Sequence, residues 1–259
     1  MRTIHLFFLM LLAAGAGAQS DTSAFERRWL IRGSDTMPYR LLLPKNYDAG
    51  RKYPLVLFLH GSGERGRDNN LQLAHAARFF LADSNRNAIV VFPQCAAGDS
   101  WAGMRSEGQG FDRKFTFAKD SEPTTAMRLL LQLVDEVEER YKVDKRRRYV
   151  GGLSMGAMGT FDLVRRKPRT FRAAFAICGA GNPETARKLR RPDWWILHGE
   201  KDDVVPPQHS RTMAEAIKAA GGSVQLSLYP NANHNSWDET FSEPNLSRWL
   251  GLNKPVTRH

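Results

Sequence analysis

The sequence predicts an α/β fold with a mostly parallel central sheet and helices on both faces. Three observations lead there. Short, nearly continuous apolar runs such as "YPLVLFLHG" (53–61) and "AIVVFPQ" (88–94) are what strands buried on both faces require. Segments of helical periodicity alternate with them, and that alternation implies right-handed crossovers between parallel neighbours. Finally, "YVGGLSMGAMGTFDLV" (149–164) passes from a β-branched and aromatic start through a glycine-framed serine into a helical stretch.

The first residues, "MRTIHLFFLMLLAAGAGAQS", carry one early cation (Arg2), an apolar run over 4–14 and a small-residue site at 16–18. This reads as a signal peptide over 1–18, because the run is shorter than the roughly 18 residues a membrane span needs. The remainder, 19–259, has the length of one catalytic domain, and an apolar fraction of 42% is enough to bury a large core. Export to the periplasm or the medium follows from the signal, with no integral membrane segment left after cleavage.

Two strand-like pieces, 27–33 and 38–44, form an opening hairpin. After the strand at 53–61 a helix is expected over 71–82, then the strand at 88–94 and a loop, "CAAGDSWAGMRSEGQG", with little periodicity. Met127, Leu130, Leu131, Val134, Val137 and Tyr141 recur at helical spacing with acids between them, which places a helix over 121–141. "RYVGGL" (148–153) is a strand leading to the serine turn and a helix that runs up to Pro168. Strands at 173–179 and 193–199 follow, separated by a short helix. A helix over 208–220 stops at Gly221-Gly222, "VQLSLYP" (224–230) alternates as an edge strand does, and the tail from Trp237 reads as one final helix. The short connections leave little room for a large lid, which favours small or extended acyl groups.

The formal charge of +11 raises the question of nucleic acid, but the longest basic run, "KRRRY" (145–149), falls in a link before a strand. No interleaved aromatic platform accompanies it, so the charge reads as a solvated positive surface and no nucleic-acid partner is expected. Cys95 and Cys178 each follow a strand of one parallel sheet, and pairing needs Cα atoms within about 7 Å. They are expected as two buried, unpaired thiols. No two histidines share metal-ligand spacing and two distant cysteines make no zinc knuckle, so no metal and no cofactor is implied.

The pattern Gly152-x-Ser154-x-Gly156 sits where a strand ends and a helix begins, so the turn pushes the serine hydroxyl out of the sheet. The following helix N-terminus offers free N–H groups to a developing oxyanion. A serine needs a base, and the base needs a carboxylate to fix its tautomer. His5 is in the signal, His259 is terminal, His75 and His209 fall in helices, and His60 and His198 precede glycines at strand ends as buried structural residues. That leaves His234, in the loop after the last strand. The acid comes from "HGEKDDVVP" (198–206), where spacing does not separate Asp202 from Asp203. The oxyanion donors are the backbone N–H groups of Met155 and of Ser62 in "LHGSGERG". Trp101 and Trp237 are candidate aromatic walls of the substrate pocket, and a Glu64–Arg65 pair is expected to rigidify the oxyanion turn.

Together, "YPLVLFLHGSGERGRDNNLQL", "PQC…SW", "GLSMGAMGTFDL", "ICGAGN", "HGEKDDVVP" and "HNSWDETFSEPNLSRWL" resemble the peptidase and esterase branch of the α/β-hydrolases, a branch similar to polyhydroxybutyrate depolymerases, feruloyl esterases and the phospholipase/carboxylesterase group. The match covers nearly everything after Arg51. The resemblance implies an α/β-hydrolase fold, Ser154 as nucleophile, His234 as base, Asp202 as acid through His-Gly-x-x-Asp-x-x-Val-Pro, and Ser62 and Met155 as oxyanion donors. It implies a serine esterase acting on small-molecule or polysaccharide-linked esters, with acetyl and feruloyl groups as candidates. The alternatives are a serine peptidase with the same three residues and a non-catalytic carbohydrate-binding protein on the same fold.

Overall fold

The computed structural model describes residues 22–252, so the segment read as a signal lies outside the described residues. In chain order the strands are β1 (Glu26–Arg32), β2 (Asp35–Leu42), β3 (Tyr53–Leu59), β4 (Ile89–Pro93), β5 (Met104–Glu107), β6 (Lys114–Phe117), β7 (Val143–Leu153), β8 (Ala173–Ile177), β9 (Asp193–Gly199) and β10 (Val224–Tyr229). The helices are α1 (Ala77–Leu81), α2 (Thr125–Arg140), α3 (Met155–Arg166), α4 (Ala186–Leu189), α5 (Gln208–Ala219), α6 (Trp237–Ser242) and α7 (Leu246–Trp249).

Eight strands form one sheet in the order β1-β2-β4-β3-β7-β8-β9-β10. The β1–β2 hairpin and the β2–β4 pair are antiparallel, and every other neighbouring pair is parallel. Alternation along β3 explains its unbroken apolar run. Leu55, Leu57 and Leu59 enter the core beneath α2, α3 and α5, whereas Val56 and Phe58 enter a second core closed by Leu73, Ala76, Phe80, Leu246 and Leu250. Each such side chain contributes roughly 1.5–3 kcal/mol by leaving water.

Four local expectations are corrected. The helix expected over 71–82 is a 3-10 turn at Leu71–Leu73 followed by the five-residue α1. The periodicity is real, since Leu73, Ala76, Ala77 and Phe80 are all buried. A segment this short is held by that burial rather than by its own cooperativity. The tail is two helices, because Pro244 disfavours the helical conformation at Glu243, which is extended at φ −63° and ψ 118°. The basic run lies inside the eleven-residue β7, where Arg147 pairs with Asp144 and Arg148 with Glu138, both at 2.8 Å. Lastly, the loop after β4 contains the β5–β6 hairpin, whose turn carries Gly108 and Gly110 at φ 76° and 55°.

Both cysteines are buried and unpaired. Three strand spacings separate the ends of β4 and β8, roughly 14 Å, twice the reach of a disulfide.

Candidate active site

Ser154 stands between β7 and α3 with φ 53° and ψ −117°, a conformation that turns the chain sharply and is normally left to glycine. Its flanking glycines are there for contact. A Cβ on Gly152 would lie 2.6 Å from the Leu59 carbonyl oxygen, and one on Gly156 would lie 2.0 Å from the same atom. The first turn of α3 therefore rests directly on the end of β3, which brings the 60–64 turn beside the serine. Gly61 closes that approach, since a Cβ there would meet Leu153 Cδ1 at 2.7 Å.

The structure brings Ser154, His234 and Asp202 into one hydrogen-bonded chain. The Ser154 hydroxyl donates to His234 Nε2 at 3.0 Å, and His234 Nδ1 donates to Asp202 Oδ2 at 2.8 Å. Of the two carboxylates that spacing did not separate, Asp202 is fully buried and reaches His234, whereas Asp203 is exposed. Burial alone would raise the Asp202 pKa. The hydrogen bonds from His198 and His234, the charge of His234 and the Val205 N–H outweigh burial, and hold the carboxyl well below the usual carboxylate range.

His198 is a participant that the sequence reading left as purely structural. Its Nε2 donates to Asp202 Oδ2 at 3.1 Å and to the Val205 carbonyl at 2.7 Å, and its Nδ1 lies 2.7 Å from Ser210 Oγ. Asp202 Oδ1 accepts from the Val204 and Val205 N–H groups, each at 2.9 Å. The acid is thus fixed from four directions. The signal was present in the sequence as the four-residue spacing within "HGEKD".

Met155 opens α3, where N–H groups have no partner within the helix, and Ser62 opens the 3-10 turn Ser62–Glu64. Arg65 Nε holds the Ser62 carbonyl at 2.9 Å, and Glu64 pairs with His75 at 3.3 Å. These contacts replace the expected Glu64–Arg65 pair, because the two side chains leave the turn toward different neighbours. Trp101 is not a pocket wall. It is fully buried, donates from Nε1 to the His60 carbonyl at 3.0 Å, and occupies space that Gly159 leaves open. Trp237 is half-buried, with its ring 5.7 Å from that of His234 and nearly perpendicular to it.

His60 ties the ends of β3 and β4 together. Its Nε2 accepts from the Cys95 N–H at 2.9 Å and its Nδ1 donates to the Gly61 carbonyl at 2.6 Å, so the ring is neutral. Burial pushes its pKa down from 6.5 to about 4. Between those values the unfolded chain binds the extra proton, so the stability gained with the neutral ring is complete above pH 6.5 and lost as pH falls to about 4. The loss amounts to about 3 kcal/mol. Urea midpoints of wild type and His60→Gln are expected to converge between pH 7 and pH 4.5, since the glutamine carbonyl accepts from Cys95 without titrating. Parallel curves would show that His60 does not carry the effect.

Among the described residues, one set could present three metal ligands: Cys178, Asp202 and His234, with ligand atoms within 4.8 Å of one another. Two of the three already make the chain to Ser154, and burial pushes the Cys178 thiol pKa up, against thiolate formation.

The profile of the Esterase family matches residues 33–247, a span that includes Ser154, Asp202 and His234. The chain belongs to the Esterase family. The chain is 31% identical over 154 residues to the bifunctional acetylxylan esterase/xylanase XynS20E of Neocallimastix patriciarum, covering 59% of this chain and 20% of that one. It is 24% identical over 230 residues to a protein named "Probable feruloyl esterase C" of Aspergillus niger, covering 85% of this chain and 72% of that one. A solved structure of a thermostable esterase superposes with a TM-score of 0.74 at 29% identity, over 88% of this chain and 62% of that one. The chain therefore spans a fifth of the fungal bifunctional enzyme and less than two thirds of the thermostable esterase. These likenesses establish the α/β-hydrolase fold, in its esterase and peptidase branch. No helix among the described residues is long and apolar enough to cross a membrane.

Proposed function

We propose that the esterase is exported and cleaves acetyl or feruloyl esters of polysaccharide through an acyl-enzyme. Ser154 Oγ attacks the ester carbonyl as His234 Nε2 takes its proton, and the tetrahedral oxyanion is held by the N–H groups of Met155 and Ser62. The imidazolium, stabilised by Asp202, passes the proton to the departing alcohol oxygen as the carbon–oxygen bond breaks. Water then attacks the acyl-enzyme with His234 again as base, releasing the acid and restoring Ser154.

The observation that carries this reading is the continuous hydrogen-bonded chain from Ser154 through His234 to a fully buried Asp202. The substrate class is supported by the names of the two relatives. Export is supported by the composition of residues 1–18.

A fluorophosphonate is expected to add one adduct to the wild-type protein, as read by intact mass. Matched acetyl, butyryl and feruloyl esters and their amides then rank the substrates, with esters turned over at least tenfold faster. A clear amide preference would replace the esterase reading with that of a peptidase. Absence of any adduct on folded protein would overturn the nucleophile.

A further inference from the structure

Trp237, whose ring stands beside that of His234, also lines an open groove of about 540 Å³ between α1 and α6. Aromatic rings pave it: the half-buried Trp237 stands 4.8 Å from the exposed His75, and Phe79 stands 5.5 Å from Phe241, both half-buried. Its polar lining includes Arg78, Asp238 and Ser242. Arg78 is exposed and makes no hydrogen bond or ion pair among the described residues. Partly open rings bordered by hydroxyl and charged groups suit the C–H faces and hydroxyls of a sugar chain. A long acyl chain would instead need an apolar trough.

The direction of the chemistry decides which part of the substrate reaches the groove. His234 Nε2 returns its proton to the leaving alcohol oxygen, so that oxygen must lie beside Nε2 when the bond breaks. The rest of the alcohol then leaves the site on the side of His234, and the ring standing there is Trp237.

We propose that this groove is the leaving-group subsite, and that it binds the sugar residues of a polysaccharide whose ester is presented to Ser154. The inference rests on the mechanism proposed above and adds to it where the glycan lies. Residues outside the Ser154–His234–Asp202 chain, Arg78 and Asp238, then set preference for chain length.

The test compares kcat/KM on acetylated xylotetraose and on acetylated xylose. Wild type is expected to favour the tetraose at least tenfold. Arg78→Ala and Asp238→Ala are expected to cut that ratio about tenfold or more, and Trp237→Ala to abolish it. Unacetylated xylotetraose is expected to show saturation-transfer NMR contact with the wild-type protein and to lose it in Arg78→Ala. A ratio near one in folded wild type, with 4-nitrophenyl acetate still hydrolysed, would overturn the subsite and leave the esterase mechanism standing. A rate that instead rises with acyl length on 4-nitrophenyl esters and falls in Arg78→Ala would make the groove an acyl site and overturn the proposal. Should no ester be hydrolysed, the mechanism fails, and the NMR contact alone upholds or overturns the groove.

Discussion

Ser154→Ala is expected to hydrolyse 4-nitrophenyl acetate about 10⁴- to 10⁶-fold more slowly than wild type and to lose the fluorophosphonate adduct, as single removals from serine-histidine-acid sites do. The residual rate is expected to come from the proposed oxyanion donors, the Met155 and Ser62 N–H groups, and from substrate binding, which the substitution leaves in place. The backbone adds a second, opposite expectation. At φ 53° and ψ −117° an alanine is as strained as the serine, whereas glycine takes this corner freely. Ser154→Gly is therefore expected to be inactive yet more stable than Ser154→Ala, by about 1 kcal/mol in urea unfolding. Activity within a hundredfold of wild type in Ser154→Ala would move the nucleophile elsewhere. Equal or lower stability of the glycine variant would mean that no strain is stored at the turn.

Gly156→Ala is expected to cost more than about 4 kcal/mol, the range reached only when a substitution meets something that cannot move. The added Cβ would lie 2.0 Å from the Leu59 oxygen, 2.5 Å from its carbon and 2.7 Å from the His60 oxygen. These are backbone atoms at the end of a strand paired on both sides, so α3 has to give instead. Its displacement would also carry the Met155 N–H away from the serine. A fall in Tm of roughly 8–16 °C is expected by scanning fluorimetry for a chain of this size. Gly98→Ala is the control, because a Cβ there meets nothing within 4 Å. A Gly156→Ala protein melting within 2 °C of wild type would show that α3 can slide along β3, and the rigid seat argued for Ser154 would be wrong.

Much of this was legible because the chemistry demands residue types in order along strand ends. The two-sided burial of β3, the periodicity of α2 and the glycine frame of Ser154 all follow from local rules. Trp101 shows where those rules stop. A tryptophan in a loop beside the site reads as a pocket wall, and only the space left by Gly159, far along the chain, turns it inward beneath His60. His198 was read as buried, correctly, but its hydrogen bond to Asp202 depends on how the acid loop doubles back after β9. The β5–β6 hairpin escaped because each strand is only four residues long and β5, MRSE, is exposed throughout, which leaves the alternation of β6, KFTF, without a partner pattern. Its fixing contact, Arg113 to the Val204 carbonyl at 3.2 Å, joins segments far apart in the chain.

The two unpaired cysteines have a consequence for the oxidising medium that the proposed export would bring. Burial pushes the Cys95 thiol pKa up to about 12 and that of Cys178 higher still, so almost no thiolate exists in the native state. Oxidants and stray disulfides need that thiolate and a path to it. Packing denies both, so damage at these sulfurs is gated by the rare moments when the sheet opens. The same hydrophobic order that seats Ser154 thereby shields the two sulfurs, and a variant that opens the sheet more often is expected to expose them to oxidants.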